Sequence, residues 1–209
     1  MQFDVAHHLG AVTREVAARE YEGKPARVVV ISRSYATDLD DLWDALTSAE
    51  RIPRWFLPVS GDLKLGGRYQ FKGNAGGTIT ACDPPRYLAA TWEFGGGVSW
   101  VEVRLTEEGQ GARLELQHIA HPSPHWEQFG PGAVGIGWDL TVMGLAEHLA
   151  TGAAVDHAAA EAWMKSDEGK AFMTASGEDW ARADTAAGED EAIAKASAAR
   201  TIGFYTGQG

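Results

Sequence analysis

Three histidines, His118, His121 and His125, fall as H-x2-H-x3-H and raise metal ligation as the first chemistry to weigh. Their rings would need a common helix face, and Pro122, Ser123 and Pro124 interrupt it. A zinc site takes roughly three or four ligands with supporting hydrogen bonds, and no second cluster accompanies this one, so no metal is expected. Cys82 stands beside Asp83, Pro84 and Pro85 without a matched histidine, and the chain carries no G-x-S-x-G, so neither thiol nor hydroxyl nucleophile is expected. The glycines at 66–67, 76–77 and 95–97 separate extended runs rather than opening a helix. They suit turns and not a phosphate cradle, and no cofactor is expected. The remaining candidate chemistry is aromatic. Trp55, Phe56, Trp92, Phe94 and Trp138 are fitted to wall a pocket for a hydrophobic guest, with His118 as the polar group that orients it. A core histidine held by a hydrogen bond is the simpler reading of His118, and a general base the more demanding one. No acid on its own strand would orient it as a base.

The elements that position these side chains follow from periodicity. In ARLELQHI (112–119) alternation sends Leu114, Leu116 and His118 to one face, and in VSWVEVRL (98–105) it sends Val101, Val103 and Leu105 inward and Glu102 and Arg104 outward. Trp92 and Phe94 share a face in RYLAATWEF (86–94). These runs, with GGRYQF and GTITAC, are separated by GNAGG, CDPPR, GGG and EEGQG, so consecutive antiparallel hairpins are the simplest topology. ARVVVISRSY (26–35) reads as a strand after the EGKP turn, and residues 11–21 either pair with it as a hairpin, the favoured reading, or form a short helix with Leu9, Val12 and Val16 on one face. TDLDDLWDALTS reads as an amphipathic helix on Leu39, Leu42, Trp43 and Leu46, with Thr37 as a candidate cap. Pro53 opens a second short helical element that Pro58 and Gly61 end, and Trp55 and Phe56 lie inside it, beside the expected cavity mouth.

One-sided strands need a cover, and AVGIGWDLTVMGLAEHLA (133–150) supplies a long helix. It is apolar on two stripes, Val134, Trp138, Val142, Leu145 and Leu149 on one, Ile136, Leu140 and Met143 on the other. A helix apolar on two sides is buried on two sides, so one stripe is expected on the sheet and the other beneath the Ala-rich segment 152–209. That segment is helical in pattern, punctuated at Gly169, Gly177 and Gly188, and too poor in large apolar residues for a core of its own. The expected organisation is a domain over 1–151 and a helical extension over 152–209 packed on it.

The 209 residues are 44% hydrophobic and 22% charged, the mix of a folded globular chain apart from eight tryptophans. Acids outnumber bases 29 to 18, giving a net charge of −11 that disfavours nucleic acid and anionic membrane surfaces. The acids are dispersed as a solvated surface. A lone cysteine permits no internal disulfide, residues 1–20 lack an apolar signal core, and no run is long enough to span a bilayer. A cytoplasmic protein without membrane insertion is expected.

A helix pair between the first strands and a run of antiparallel strands, closed by a long helix, resembles the helix-grip fold of the START-like, or SRPBCC, superfamily. DLWDALTSAERIPRWF, GDLKLGGRYQF, GTITACDPPRYLAATWEF, RLELQH and GIGWDL, in that order, resemble the subgroup named for activators of the Hsp90 ATPase, over residues 11–150. The tail ending ARTIGFYTG is similar to extensions on actinobacterial members. The resemblance implies an α+β fold in which a curved antiparallel sheet of six to seven strands wraps the long helix around a cavity, with extra C-terminal helices. It further implies a lipid, sterol or polyketide-like hydrophobic ligand, which some members bind as cyclases or hydrolases; the expectation for this chain is a lipid or polyketide-like ligand held without catalysis. It leaves open a cyclase or dehydratase with His118 as base, and a protein-interaction module acting on a chaperone or through self-association of the tail as a homodimer. The residues ahead of Ala26 are too few for the separate N-terminal region that eukaryotic activators use on the chaperone, which disfavours a chaperone partner.

Overall fold

The structure is a computed structural model describing residues 4–208. Its eight strands are β1 (Val12–Tyr21), β2 (Lys24–Tyr35), β3 (Val59–Gly61), β4 (Arg68–Phe71), β5 (Gly76–Asp83), β6 (Tyr87–Phe94), β7 (Gly97–Glu108) and β8 (Gly111–Ala120). Its helices are α1 (Val5–Gly10), α2 (Leu39–Thr47), α3 (Pro124–Phe129), α4 (Gly132–Thr151), α5 (His157–Lys165), α6 (Asp167–Ala186) and α7 (Glu191–Thr206), with a single 3-10 turn at Ile52–Arg54. The strands form one curved antiparallel sheet in the order β1-β2-β8-β7-β6-β5-β4-β3. This is the α+β helix-grip architecture, with eight strands where six to seven were expected. The addition is β3, three residues pairing Val59 to Phe71 and Gly61 to Tyr69, which Pro58 and Gly61 disguise as turn chemistry.

The chain divides into two compact units. The first gathers the chain up to Ile31, His121–Leu140 and the chain from Asp156 onward; the second holds Ser32–Ala120 and Thr141–Val155. The backbone passes from one to the other within β2 and within α4.

In the first unit a buried carboxylate ties three elements together. Asp139 on α4 accepts from Arg14 of β1 through Nε at 3.0 Å and Nη2 at 2.9 Å, and from Ser176 and Trp180 of α6 at 2.5 and 2.9 Å. Burial pushes its carboxyl up, while these four donors favour the anion. Helix α7 runs alongside the α3–α4 junction. Arg200 donates to Gln128 O at 2.6 Å, Thr201 to Phe129 O at 2.7 Å and Tyr205 to Ala133 O at 3.1 Å. Gly177, expected as a break, is buried inside α6, where a β-carbon would press Ile202 of α7. It is a point of close helix approach rather than a terminator. His8 is buried on α1.

In the second unit the expected alternation holds on β7 and β8, where Val101 faces His118, Val103 faces Leu116 and Leu105 faces Leu114. Glu102 does point to the opposite face but is buried there, its carboxylate 2.9 Å from Arg104. Helix α2 is capped by Asp38, whose side chain accepts from Asp41 N at 2.8 Å, while Thr37 instead donates to the Asp41 carboxylate. The second half of α4 enters this unit, with Tyr35 Oη donating to Val142 O at 3.3 Å. Its apolar sides are therefore shared out end to end. The first half packs with α6 through Asp139, and the second belongs with the sheet strands of the second unit, rather than two stripes running its full length.

Candidate functional site

Five rings in the second unit form a continuous row. Trp55 stacks on Phe56 with centroids 5.8 Å apart, Phe56 meets Phe71 edge to face at 4.9 Å, Phe71 lies 5.8 Å from Trp92, and Trp92 meets His118 edge to face at 6.2 Å. Local sequence explains the placement. The 3-10 turn aims Trp55 and Phe56, both of whose N–H groups return to Ile52 O. Strand alternation puts Phe71 beside Tyr69 on β4, and Trp92 faces Ser99 across β6 and β7. Phe56, Phe71 and Trp92 are partly buried and Trp55 fully so.

The row ends on one polar pair. His118 Nε2 lies 2.9 Å from Ser99 Oγ, and Ser99 donates to Trp92 O at 3.1 Å. A hydroxyl has one proton; given to Trp92 O, it leaves Oγ an acceptor, so Nε2 must carry the ring's proton. His118 thereby donates towards Ser99 and is set against drawing a proton from it. Burial lowers the His118 pKa to about 4, so the ring is neutral at physiological pH.

That shift makes stability depend on pH. Between about 6.5 and about 4 the unfolded imidazole binds a proton that the folded one refuses. The contribution is complete above 6.5 and is lost as pH falls through that window, to a total of about 3 kcal/mol. We expect urea midpoints at pH 7.5 and 4.5 to show a loss about 2–3 kcal/mol smaller in His118→Gln than in the parent chain. Asp184, raised to about 6 by burial and then by Glu189, acts in the opposite sense in both proteins, so their difference isolates His118. Equal losses would assign the acid sensitivity to other groups.

Of the residues expected from sequence, Trp55, Phe56, Trp92 and His118 are thus brought together. Phe94 is 63% exposed at the Gly95–Gly97 turn, because β6 ends there. Trp138 is buried on the first half of α4, in the other unit. Phe71 and Ser99 complete the row without having been singled out, although alternation in GGRYQF and VSWVEVRL carries both onto the same face. The three spaced histidines separate: His121 Nδ1 lies 2.9 Å from Pro25 O, and His125 packs on Phe129. Among the described residues no three His, Cys, Asp or Glu side chains converge as metal ligands, and no helix is long and apolar enough to cross a membrane.

A family model described as activator of Hsp90 ATPase homolog 1-like protein matches residues 36–150, which is 115 of 209 residues and contains the whole ring row. The chain belongs to that family. The crystal structure of CalU16 from Micromonospora echinospora is 33% identical over 83% of this chain and 98% of that one, with a TM-score of 0.69. The solution structure of the same protein covers 85% and 97% with a TM-score of 0.73. Likeness to CalU16 therefore extends beyond the family match. MLL2253 from Mesorhizobium loti, 22% identical over 59% of this chain and 97% of its own, shares the fold with a TM-score of 0.54. No curated protein matches. Asp139 falls inside the family match, but Arg14, Ser176 and Trp180, which hold it, fall outside.

Proposed function

We propose that this START-like chain binds a small hydrophobic molecule, lipid or polyketide-like, on the ring row of its second unit, and holds it without catalysing a reaction. The supporting observation is the row itself, three partly buried rings between an anchored tryptophan and a single oriented polar pair. Apolar walls with one or two placed hydrogen-bonding groups are the composition of a ligand site. The direction of the His118–Ser99–Trp92 chain speaks for holding over catalysis, since the neutral ring spends its proton towards Ser99. Phe94, on the same strand face as Trp92 and exposed, would meet the guest from the open end of the strand.

The test is a titration with 8-anilinonaphthalene-1-sulfonate at neutral pH. Saturable binding is expected, with affinity falling at least about tenfold in Trp92→Ala while circular dichroism stays that of the parent. Absence of saturation, or a Trp92→Ala chain that binds as the parent does, would reject the reading.

A further inference from the structure

The outer side of the α6–α7 hairpin carries an open groove of about 460 Å³ whose floor includes Ala181, Ala198, Ala199 and Ile202. The groove exists because alanines line the seam and leave the space between two helix ridges unfilled. Its rim is polar in a definite order. Glu191 stands nearest the hairpin turn, Arg182 and Lys195 follow as a basic band, and Glu178 stands beyond them, all exposed. Two acids and two bases balance here on a chain whose net charge is −11. A second copy, strongly repelled as a whole, meets no net repulsion on this face.

We propose that the groove is the interface through which two copies of this chain associate, hairpin against hairpin, about a two-fold axis. With the axis between the basic band and Glu178, the band of each copy faces Glu178 of the other, so the pattern is self-complementary, as an isologous contact requires. The pairing occurs twice. The alanine floors let the helices approach closely, giving a four-helix arrangement. Within one chain Lys195 pairs with Glu191 and Arg182 with Asp179; the two basic side chains are largely exposed, so exchange to a partner is open to both. The inference does not depend on the ligand reading, because its residues lie in the first unit.

Sedimentation velocity of the full chain between about 1 and 200 µM measures the association. A concentration-dependent dimer is expected. Lys195→Glu and Glu178→Lys should each weaken it at least about tenfold, and the double variant should recover most of the loss. Ala199→Glu, on an exposed helix position, should abolish the dimer while leaving the circular dichroism and melting of the monomer as in the parent. A chain that is monomeric throughout, a dimer indifferent to Ala199→Glu, or a double variant no better than the singles would each overturn the proposal.

Discussion

Asp139→Ala is expected to cost about 3–5 kcal/mol of unfolding free energy, a large share of what a folded domain has in hand. The carboxylate is 1% exposed and the Arg14 side chain 6% exposed, so removing one leaves the other buried. Arg14 would keep Asp179, at 3.1 Å and 23% exposed, and the Leu9 and Val12 carbonyls at 3.3 and 3.4 Å, but its Nε and Nη2 would lose their acceptor, as would the Ser176 hydroxyl and the Trp180 indole. Desolvated donors without partners are costly, and in this cluster a full charge is among them. Urea denaturation read by circular dichroism measures the loss, and a value under about 1 kcal/mol would show that the cluster is not buried as described. The control is to replace both partners by apolar groups, Arg14→Met with Asp139→Leu, which should recover much of the loss because no buried charge then remains.

Trp55→Ala comes next, with an expected loss of about 3–5 kcal/mol. A place beside the cavity mouth would make Trp55 a lid, whose truncation weakens guest binding and spares stability. The structure gives it a different setting. Only 8% of Trp55 is exposed, and its indole N–H donates to Ala45 O at 2.9 Å. That carbonyl lies in the last turn of α2, where no amide of the helix is left to receive it. Helix α4 closes on the other side, where a β-carbon on Gly144 would stand 2.8 Å from Trp55 O. Truncation therefore opens a cavity and strips the end of α2 together. Trp55→Phe should keep most of the packing and lose about 1–2 kcal/mol, chiefly for the unpaired carbonyl. Denaturation midpoints for both variants decide between core and lid. A Trp55→Ala chain within about 1 kcal/mol of the parent and unable to bind the naphthalene probe would restore the lid.

The elements were legible where a period was strong and unbroken. Residues 112–119 alternate without fault, and the burial of Leu114, Leu116 and His118 follows from that spacing alone. The long helix, expected over 133–150, spans Gly132–Thr151. Short elements escaped: α1 has no apolar period in VAHHLG, and β3 is too brief to show one. Gly177 misled because a glycine at a helix crossing and a glycine at a helix end look alike in sequence. Only the facing side chain, Ile202, separates the two cases. The ring row was half legible for a similar reason. Alternation assigns a residue to a face but does not say which rings touch, so Phe71 and Ser99 went unremarked and Phe94 was placed too deep. Asp139 was invisible as a hub, since its partners lie 125, 37 and 41 residues away.

Those separations also set an order of events during synthesis. The second unit is complete once residue 155 has left the ribosome, whereas the first needs Arg14 near the start of the chain and Trp180 and Tyr205 near its end. Domains fold as their residues emerge, and contacts of long sequence separation form last. Over the 125 residues that separate them, then, the Arg14 guanidinium of β1 waits without its Asp139 carboxylate. The unit that holds β1 is the last to form.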